Sequence, residues 1–273
     1  MNSIQKLLQK NKKPLIMGIL NVTPDSFSDG GYFIDPKKAI QHAEVMINDG
    51  VDLIDIGAES TRPGAKVVEI KEERERIEPV IKAIKKNFQV PISIDTYKPE
   101  IMKLGIDLGV EMINDIFSLR KPGSIDVVSN SNVTLSLMHM KGNPQNMQNN
   151  PSYKNVVEEV REFLQDRINI CEESGIDKSR IVVDPGFGFG KTYENNLKLF
   201  QSLDKLKKLS KPLLIGVSRK SMIRNIVGNQ ENDIIQASAI MAALSVLKGA
   251  NIIRVHDVEE TKIALKILES EDK

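Results

Sequence analysis

The chain is short of the residues that several kinds of chemistry need. It has one cysteine, Cys171, in 273 residues, so no disulfide can close within it. Its three histidines and that cysteine show no spacing that would hold zinc. There is no nucleophile elbow of the acyl-transfer type. Lys and Arg number 38 against 37 Asp and Glu, for a formal net charge of +1. No general electrostatic attraction to nucleic acid or a membrane surface follows from that balance. No apolar run approaches the roughly 18 residues that span a bilayer. The start, MNSIQKLLQKNKK, lacks the apolar stretch and small-residue cleavage site of a secretion signal. A cytoplasmic protein without nucleic-acid or membrane partners is the expectation. With 40% hydrophobic residues against 27% charged, the chain can bury a substantial core.

What is present is a rhythm. Short β-branched or apolar runs recur at Pro14–Leu20, Asp52–Ile56, Pro91–Ile94, Glu111–Ile113, Val133–Met138, Ile181–Val183, Pro212–Val217 and Asn251–Val255. Several are apolar without alternation, as strands covered on both faces are. Helical patterns lie between them: Pro36–Asn48, Val68–Phe88, 99–108, Ser152–Ser174, 193–209, 231–248 and 258–269, with a faint one at 123–130. In the 152–174 pattern Cys171 falls on the apolar side, so it reads as core. Eight strand-helix units at about 34 residues each predict a single α/β domain over 14–273, a (β/α)8 TIM barrel of parallel strands with long loops after strands 1, 2 and 5. A doubly wound open sheet is the competing fold, because closure cannot be read from sequence. Residues 1–13 form an N-terminal extension, either a short helix or disordered.

A barrel carries its chemistry at the C-terminal ends of its strands. The most conspicuous of these ends is IVVDPGFGFGKT, Ile181–Thr192. It looks like a phosphate loop, but the required first glycine is Pro185, and the dinucleotide pattern fails at Lys191. What remains is a strand ending on Asp184. Two other strands end on Asp95 and Asn114, while Arg62, Lys220, Arg254 and His256 come from three more. Any one Asp could be a helix cap and any one Arg a surface residue. His139 alone reads as packed rather than metal-binding. The coincidence is harder to dismiss. Asp and Asn deep in a barrel mouth need partners, and a flat heterocycle with adjacent N–H and NH2 donors would supply them. The Lys, Arg, His and Thr nearer the rim suit a phosphate or diphosphate, and Mg2+ is the metal such a group implies.

Together these segments resemble the dihydropteroate synthase family. The resemblance is carried by MGILNVTPDSFSDGG (Met17–Gly31), DIGAESTRPGA (Asp55–Ala65), IDT (Ile94–Thr96), INDI (Ile113–Ile116), LMHMKGNPQNMQ (Leu137–Gln148), DPGFGFGKT (Asp184–Thr192), GVSRKSMI (Gly216–Ile223) and RVHDV (Arg254–Val258). The resemblance implies a transferase that joins (7,8-dihydropterin-6-yl)methyl diphosphate to 4-aminobenzoate, releasing diphosphate. It implies that Asp95, Asn114 and Asp184 hold the pterin, with Lys220 at its edge and Ile116, Met138, Phe189 and Gly216 lining the slot. Thr61, Arg254 and His256 then resemble diphosphate anchors, and Asn21 the Mg2+ ligand. Phe27, Arg62, Pro63 and Ser221 resemble the aminobenzoate site. Asp95, Lys220, Arg254 and His256 would carry the catalysis. A homodimer is the expected assembly, with the apolar 234–248 segment as one contact. The nearest alternative is a pterin-binding methyltetrahydrofolate–corrinoid methyltransferase domain, which has no use for a diphosphate site. A nucleotide-binding module built on GFGFGKT is a third reading.

Overall fold

The computed structural model describes residues 1–10, 13–23, 36–62 and 64–271. A first helix, α1 (Ser3–Lys10), precedes the strands β1 (Leu15–Asn21), β2 (Leu53–Gly57), β3 (Ile92–Asp95), β4 (Met112–Asp115), β5 (Thr134–Met138), β6 (Ile181–Asp184), β7 (Leu214–Ile215) and β8 (Ile252–Val255). All pairings among them are parallel. The order β6-β5-β4-β3-β2-β1-β8-β7 is closed by a bridge between Val183 and Leu213. The barrel is therefore shut, and the open-sheet alternative falls.

Helices follow the strands: α2 (Pro36–Asn48), α3 (Ile70–Asn87), α4 (Pro99–Asp107), α5 (Ser124–Ser129), α6 (Val156–Glu173), α7 (Tyr193–Gln201), α8 (Ser221–Val227), α9 (Glu231–Leu247) and α10 (Val258–Glu271). Three predicted bounds shift for local reasons. The helix expected from Ser152 starts after Asn155, whose side chain accepts from the Val157 and Glu158 amides and so sets the N-cap. The pattern over 193–209 breaks at Ser202 into α7 and a 3-10 turn, Leu203–Leu209. Strand β7 is only two residues long, because the Asn251 side chain takes the Leu213 amide at 2.8 Å and the carbonyl of Leu213 serves the strand β8 entry instead.

Strand alternation divides the core into two layers. Outward residues such as Ile54, Ile56, Ile92, Ile94, Leu135 and Ile253 meet the helices in one large cluster. Inward residues Leu15, Met17, Leu53, Met112, Val182, Leu214 and Ile252 form a separate cluster at the bottom of the barrel. Helix α1 closes that end. Ile4, fully buried, inserts into the inward cluster with Leu7 and Leu8 beside it. Asn2 and Gln5 cap the helix reciprocally, Asn2 N–H to Gln5 Oε1 at 2.8 Å and Gln5 N–H to Asn2 Oδ1 at 3.0 Å. The Asn2 Nδ2 group also donates to the carbonyls of Glu111 and Asn132, fixing the plug to the entries of β4 and β5. The extension is thus a helix, and it is the barrel's floor.

Candidate active site

At the opposite end the same inward positions turn polar. Asp95 ends β3, Asn114 lies in β4, Asp184 ends β6, and Arg254 lies in β8. Arg254 spans two carboxylates: its Nε donates to Asp55 Oδ2 at 2.6 Å and its NH2 to Asp95 Oδ2 at 2.9 Å. Asn114 Nδ2 donates to the same Asp55 oxygen at 3.0 Å. Asp55 is therefore the hub beneath the slot, and sequence reasoning misses it. The clue is available: Asp55 has the inward parity of Gly57, which is in register with Asp95. Asp184 Oδ1 accepts the Gly186 amide at 2.7 Å. Each of Asp95, Asn114 and Asp184 so commits one polar atom to the protein. Among the described residues the remaining oxygen of each makes no hydrogen bond, which leaves three acceptors for the N–H groups of a ligand.

Ile116, Met138 and Phe189 gather with Met140 and Met147 in an apolar cluster at the same end. Lys220 Nζ lies 4.4 Å from the centre of the Phe189 ring. Gly216 directly follows β7, and a Cβ there would come 3.8 Å from that of Arg254. The slot therefore has an apolar wall, a polar floor and a cation at its edge.

Burial sets the charges. It raises the Asp184 carboxyl to about 6, against the opposing Gly186 amide and Lys220. It also raises Asp95, with Arg254 pulling down and Asp55 pushing up. Lys220 falls to about 8 through burial and the nearby Arg254 charge. For Arg254, burial works against the charge, but Asp55 and Asp95 outweigh it and hold the guanidinium above its ordinary value. Displaced groups gathered around an apolar slot in this way mark it as the candidate ligand site.

The glycine loop after β6 has a structural logic. Gly186, Gly188 and Gly190 all have positive φ, at 67°, 79° and 63°. A Cβ on Gly186 would sit 1.9 Å from the His139 carbonyl, so no side chain fits. Lys191, buried, points inward and donates to His139 Nδ1 at 2.8 Å, the Gly186 carbonyl at 2.8 Å and the Phe189 carbonyl at 3.1 Å. All three ammonium donors are used within the protein. Burial lowers the ammonium to about 7, and burial with that neighbouring charge lowers His139 to about 2, so the ring accepts as neutral imidazole. Thr192 caps α7 through the Asn195 amide at 3.2 Å. Neither of the two residues that suggest a phosphate loop is free for one, since Lys191 is a strut and Thr192 a helix cap. His139 is a packed histidine, its ring edge-on to Phe163 at 5.0 Å.

Nearer the rim, His256 Nδ1 lies 3.0 Å from Ser218 Oγ. That Oγ also accepts the His256 amide at 3.2 Å, so the serine fixes both the backbone and the ring of His256. Burial and Arg254 lower His256 to about 3, so its ring is a neutral imidazole. Arg219 clamps the neighbouring loop by a two-pronged pair with Asp257. Thr61 is half-buried and Arg62 exposed in the loop after β2; Ser221, exposed, begins α8. Phe27 and Pro63 lie outside the described residues. Asn21 ends β1 with its Oδ1 3.7 Å from where a Gly57 Cβ would be; Asp95 Cβ is 3.4 Å from the same point, and Asp95 Oδ2, at 3.8 Å, is the oxygen that accepts from Arg254. No helix among the described residues is long and apolar enough to cross a membrane.

The sequence profile of the family described as "Pterin binding enzyme" matches residues 17–256. The dihydropteroate synthase of Escherichia coli K12 is 45% identical over 257 residues, covering 94% of this chain and 91% of that protein. Among solved structures, Xanthomonas albilineans dihydropteroate synthase with 4-aminobenzoic acid superposes with a TM-score of 0.90 at 42% identity, covering 96% of this chain and 94% of that one. The Yersinia pestis dihydropteroate synthase in a sulfonamide drug complex has a TM-score of 0.90 at 43% identity, covering 95% and 94%.

Proposed function

The chain belongs to the dihydropteroate synthase family of pterin-binding enzymes, and from that premise we propose how its barrel mouth divides the reaction. It is an enzyme and a transferase, condensing (7,8-dihydropterin-6-yl)methyl diphosphate with 4-aminobenzoate to 7,8-dihydropteroate and diphosphate. The group moved is an alkyl group, passed to an aryl amine. The observation that carries the site reading is the trio Asp95, Asn114 and Asp184, each with one polar atom tied to the protein and one oxygen left for a ligand.

In this reading the pterin lies on that floor between Phe189, Met138 and Ile116, with Lys220 at its edge. Arg254 and the His256 ring face the diphosphate together with Thr61. The C–O bond to diphosphate breaks first and its electron pair leaves with the oxygen, which the Arg254 charge stabilises as it develops. The cation left on carbon is delocalised into the dihydropterin ring, and the Asp95 carboxylate stabilises it. The arylamine lone pair then forms the C–N bond, and the nitrogen loses its proton to water or to the departed diphosphate. Since an arylamine is already uncharged at neutral pH, no strong base has to act before attack. Phe27, Arg62, Pro63 and Ser221 would hold the aminobenzoate. Asn21, at the end of β1, offers an amide oxygen of the kind a hard cation takes, so it would hold Mg2+, which would supply charge neutralisation to the diphosphate.

A homodimer is supported by the exposed apolar side chains Ile240, Leu244 and Leu247 on α9 and Ile263 and Ile267 on α10. A cytoplasmic location suits substrates of this kind. The decisive experiment is diphosphate release, which is expected to need both substrates and Mg2+ and to be abolished by a chelator or a sulfonamide. Well-folded protein that releases none with both substrates and Mg2+ present would contradict the reading.

A further inference from the structure

Outside the slot, the most concentrated buried charge lies at the base of the loop that follows β2. Lys98, only 8% exposed, donates to Glu59, to Glu73 and to the Val68 carbonyl at 2.6 Å. Its three ammonium donors are all used. Glu59 also accepts from Tyr97 OH at 2.8 Å and from the Val68 amide at 3.2 Å, and Glu73 accepts from Thr96 Oγ1 at 2.7 Å. These contacts tie together both stems of the loop, Glu59 on one side and Val68 on the other. They anchor the stems to the segment Thr96–Lys98, which directly follows Asp95. The tip is held far more loosely. Among the described residues its backbone amides donate three hydrogen bonds, from Gly64 to the Pro144 carbonyl at 3.3 Å, from Ala65 to the Arg62 carbonyl at 3.0 Å and from Arg62 to Ser60 Oγ at 3.4 Å. A Cβ on Gly64 would meet nothing within 4 Å. The direction of the tip is thus set at the neck.

We propose that Lys98 is a positioning residue: with Glu59 and Glu73 it closes the neck of the loop after β2 and so sets Arg62 and Thr61 against the substrates. Without its cation, two carboxylates would face each other in a buried space, and the neck would open. The loop would then present Arg62 and Thr61 in a spread of orientations, and a small misplacement is costly to binding and turnover. The slot would be affected less, because Asp184 and Lys220 come from β6 and the end of the loop after β7, and the neighbouring Asp95 and Asn114 lie within β3 and β4, whose ladder pairings hold them in place. The inference rests on the reading of Arg62 as an aminobenzoate contact.

The test compares K98M, K98R, Y97F and R62A in the full-length chain. Two quantities are read: KM for 4-aminobenzoate in diphosphate release, and Kd for a dihydropterin without its diphosphate, by calorimetry. K98M is expected to raise the aminobenzoate KM on the order of tenfold, with the dihydropterin Kd changed less than about twofold. K98R should recover most of the loss. Y97F removes one hydroxyl from Glu59 and should raise the same KM about two- to threefold, which keeps the proposal testable if K98M does not fold. A KM unchanged in both K98M and Y97F overturns the proposal, as does a dihydropterin Kd that worsens in step with KM. KM raised in R62A but not in K98M removes the positioning role alone. KM unchanged in R62A removes the assignment of Arg62 and the proposal with it.

Discussion

The two ends of the barrel are built from the same strands and differ by two residues. Leu53 becomes Asp55, Met112 becomes Asn114, Val182 becomes Asp184, Ile252 becomes Arg254. The lower set packs around Ile4 and completes a core. The upper set gathers charge in a buried place, where raised carboxyls and a lowered lysine record that the fold opposes it. One end holds the protein together; the other is kept at its expense for a ligand. The contrast holds best for Asp184 and Ile4, and worst for Arg254, which serves both purposes.

Arg254→Ala should therefore have the largest effect and should blur the contrast. Removing it leaves Asp55 and Asp95 facing each other without their cation, a loss of about 3–5 kcal/mol in stability for a broken buried pair. It also removes the main charge facing the leaving group, and kcat/KM should fall on the order of a thousandfold. Urea unfolding and steady-state kinetics on one preparation would check both. Asp184→Asn sharpens the contrast. The Gly186 amide keeps an acceptor, while the slot loses a charged one, so kcat/KM for the pterin diphosphate should fall on the order of a hundredfold. Its stability should hold or rise. The sign follows from the raised carboxyl: the folded state binds the Asp184 proton more tightly than the unfolded chain, so ionising it through the window from about 4 to about 6 costs stability, and the neutral amide avoids that cost.

Ile4→Ala probes the floor. A fully buried isoleucine truncated to alanine should cost about 2–4 kcal/mol, read as a shift in the urea midpoint, with both KM values unchanged at temperatures where the variant is folded. A raised KM would mean that floor and mouth are coupled through the strands. The gentlest probe is pH. Asp184 and Asp95 must be ionised to accept, and Lys220 must be protonated to donate. The kcat/KM for the pterin diphosphate should rise above about 6, as Asp184 and then Asp95 ionise, and fall again near 8, the value for Lys220. Lys220→Arg should move the alkaline limb upward and leave the acid limb in place.

Much of the mouth is legible in the chain itself. Asp95, Asn114 and Asp184 stand out because each follows a β-branched or apolar run, and a residue at such a run's end has one place to go in a barrel. Asp55 is harder to see. It sits inside DLIDIG, flanked by isoleucines, where a carboxylate looks like a strand interruption; only the inward parity shared with Gly57 marks it. Lys98 is invisible for another reason. Its partners Glu59, Glu73 and Val68 lie 39, 25 and 30 residues away, and Tyr-Lys-Pro-Glu reads locally as the entry to a helix. The floor is announced by Asn2 and Gln5 at capping spacing, but nothing in a short amphipathic stretch says that it will plug a barrel. GFGFGKT shows the opposite error. Its glycines and lysine look like a phosphate cradle, while in the fold the lysine ties down carbonyls of its own loop and the threonine caps a helix.

If the mouth's carboxylates serve the ligand and not the fold, removing one charge should separate the two roles. Thermal unfolding of Asp184→Asn, with and without a dihydropterin lacking diphosphate, tests this most directly. The expected result is a melting temperature at or above that of the parent chain in the absence of ligand, and loss of the upward shift that the dihydropterin gives the parent. A lower melting temperature with the ligand shift intact would contradict it, because Asp184 would then be part of what holds the barrel together.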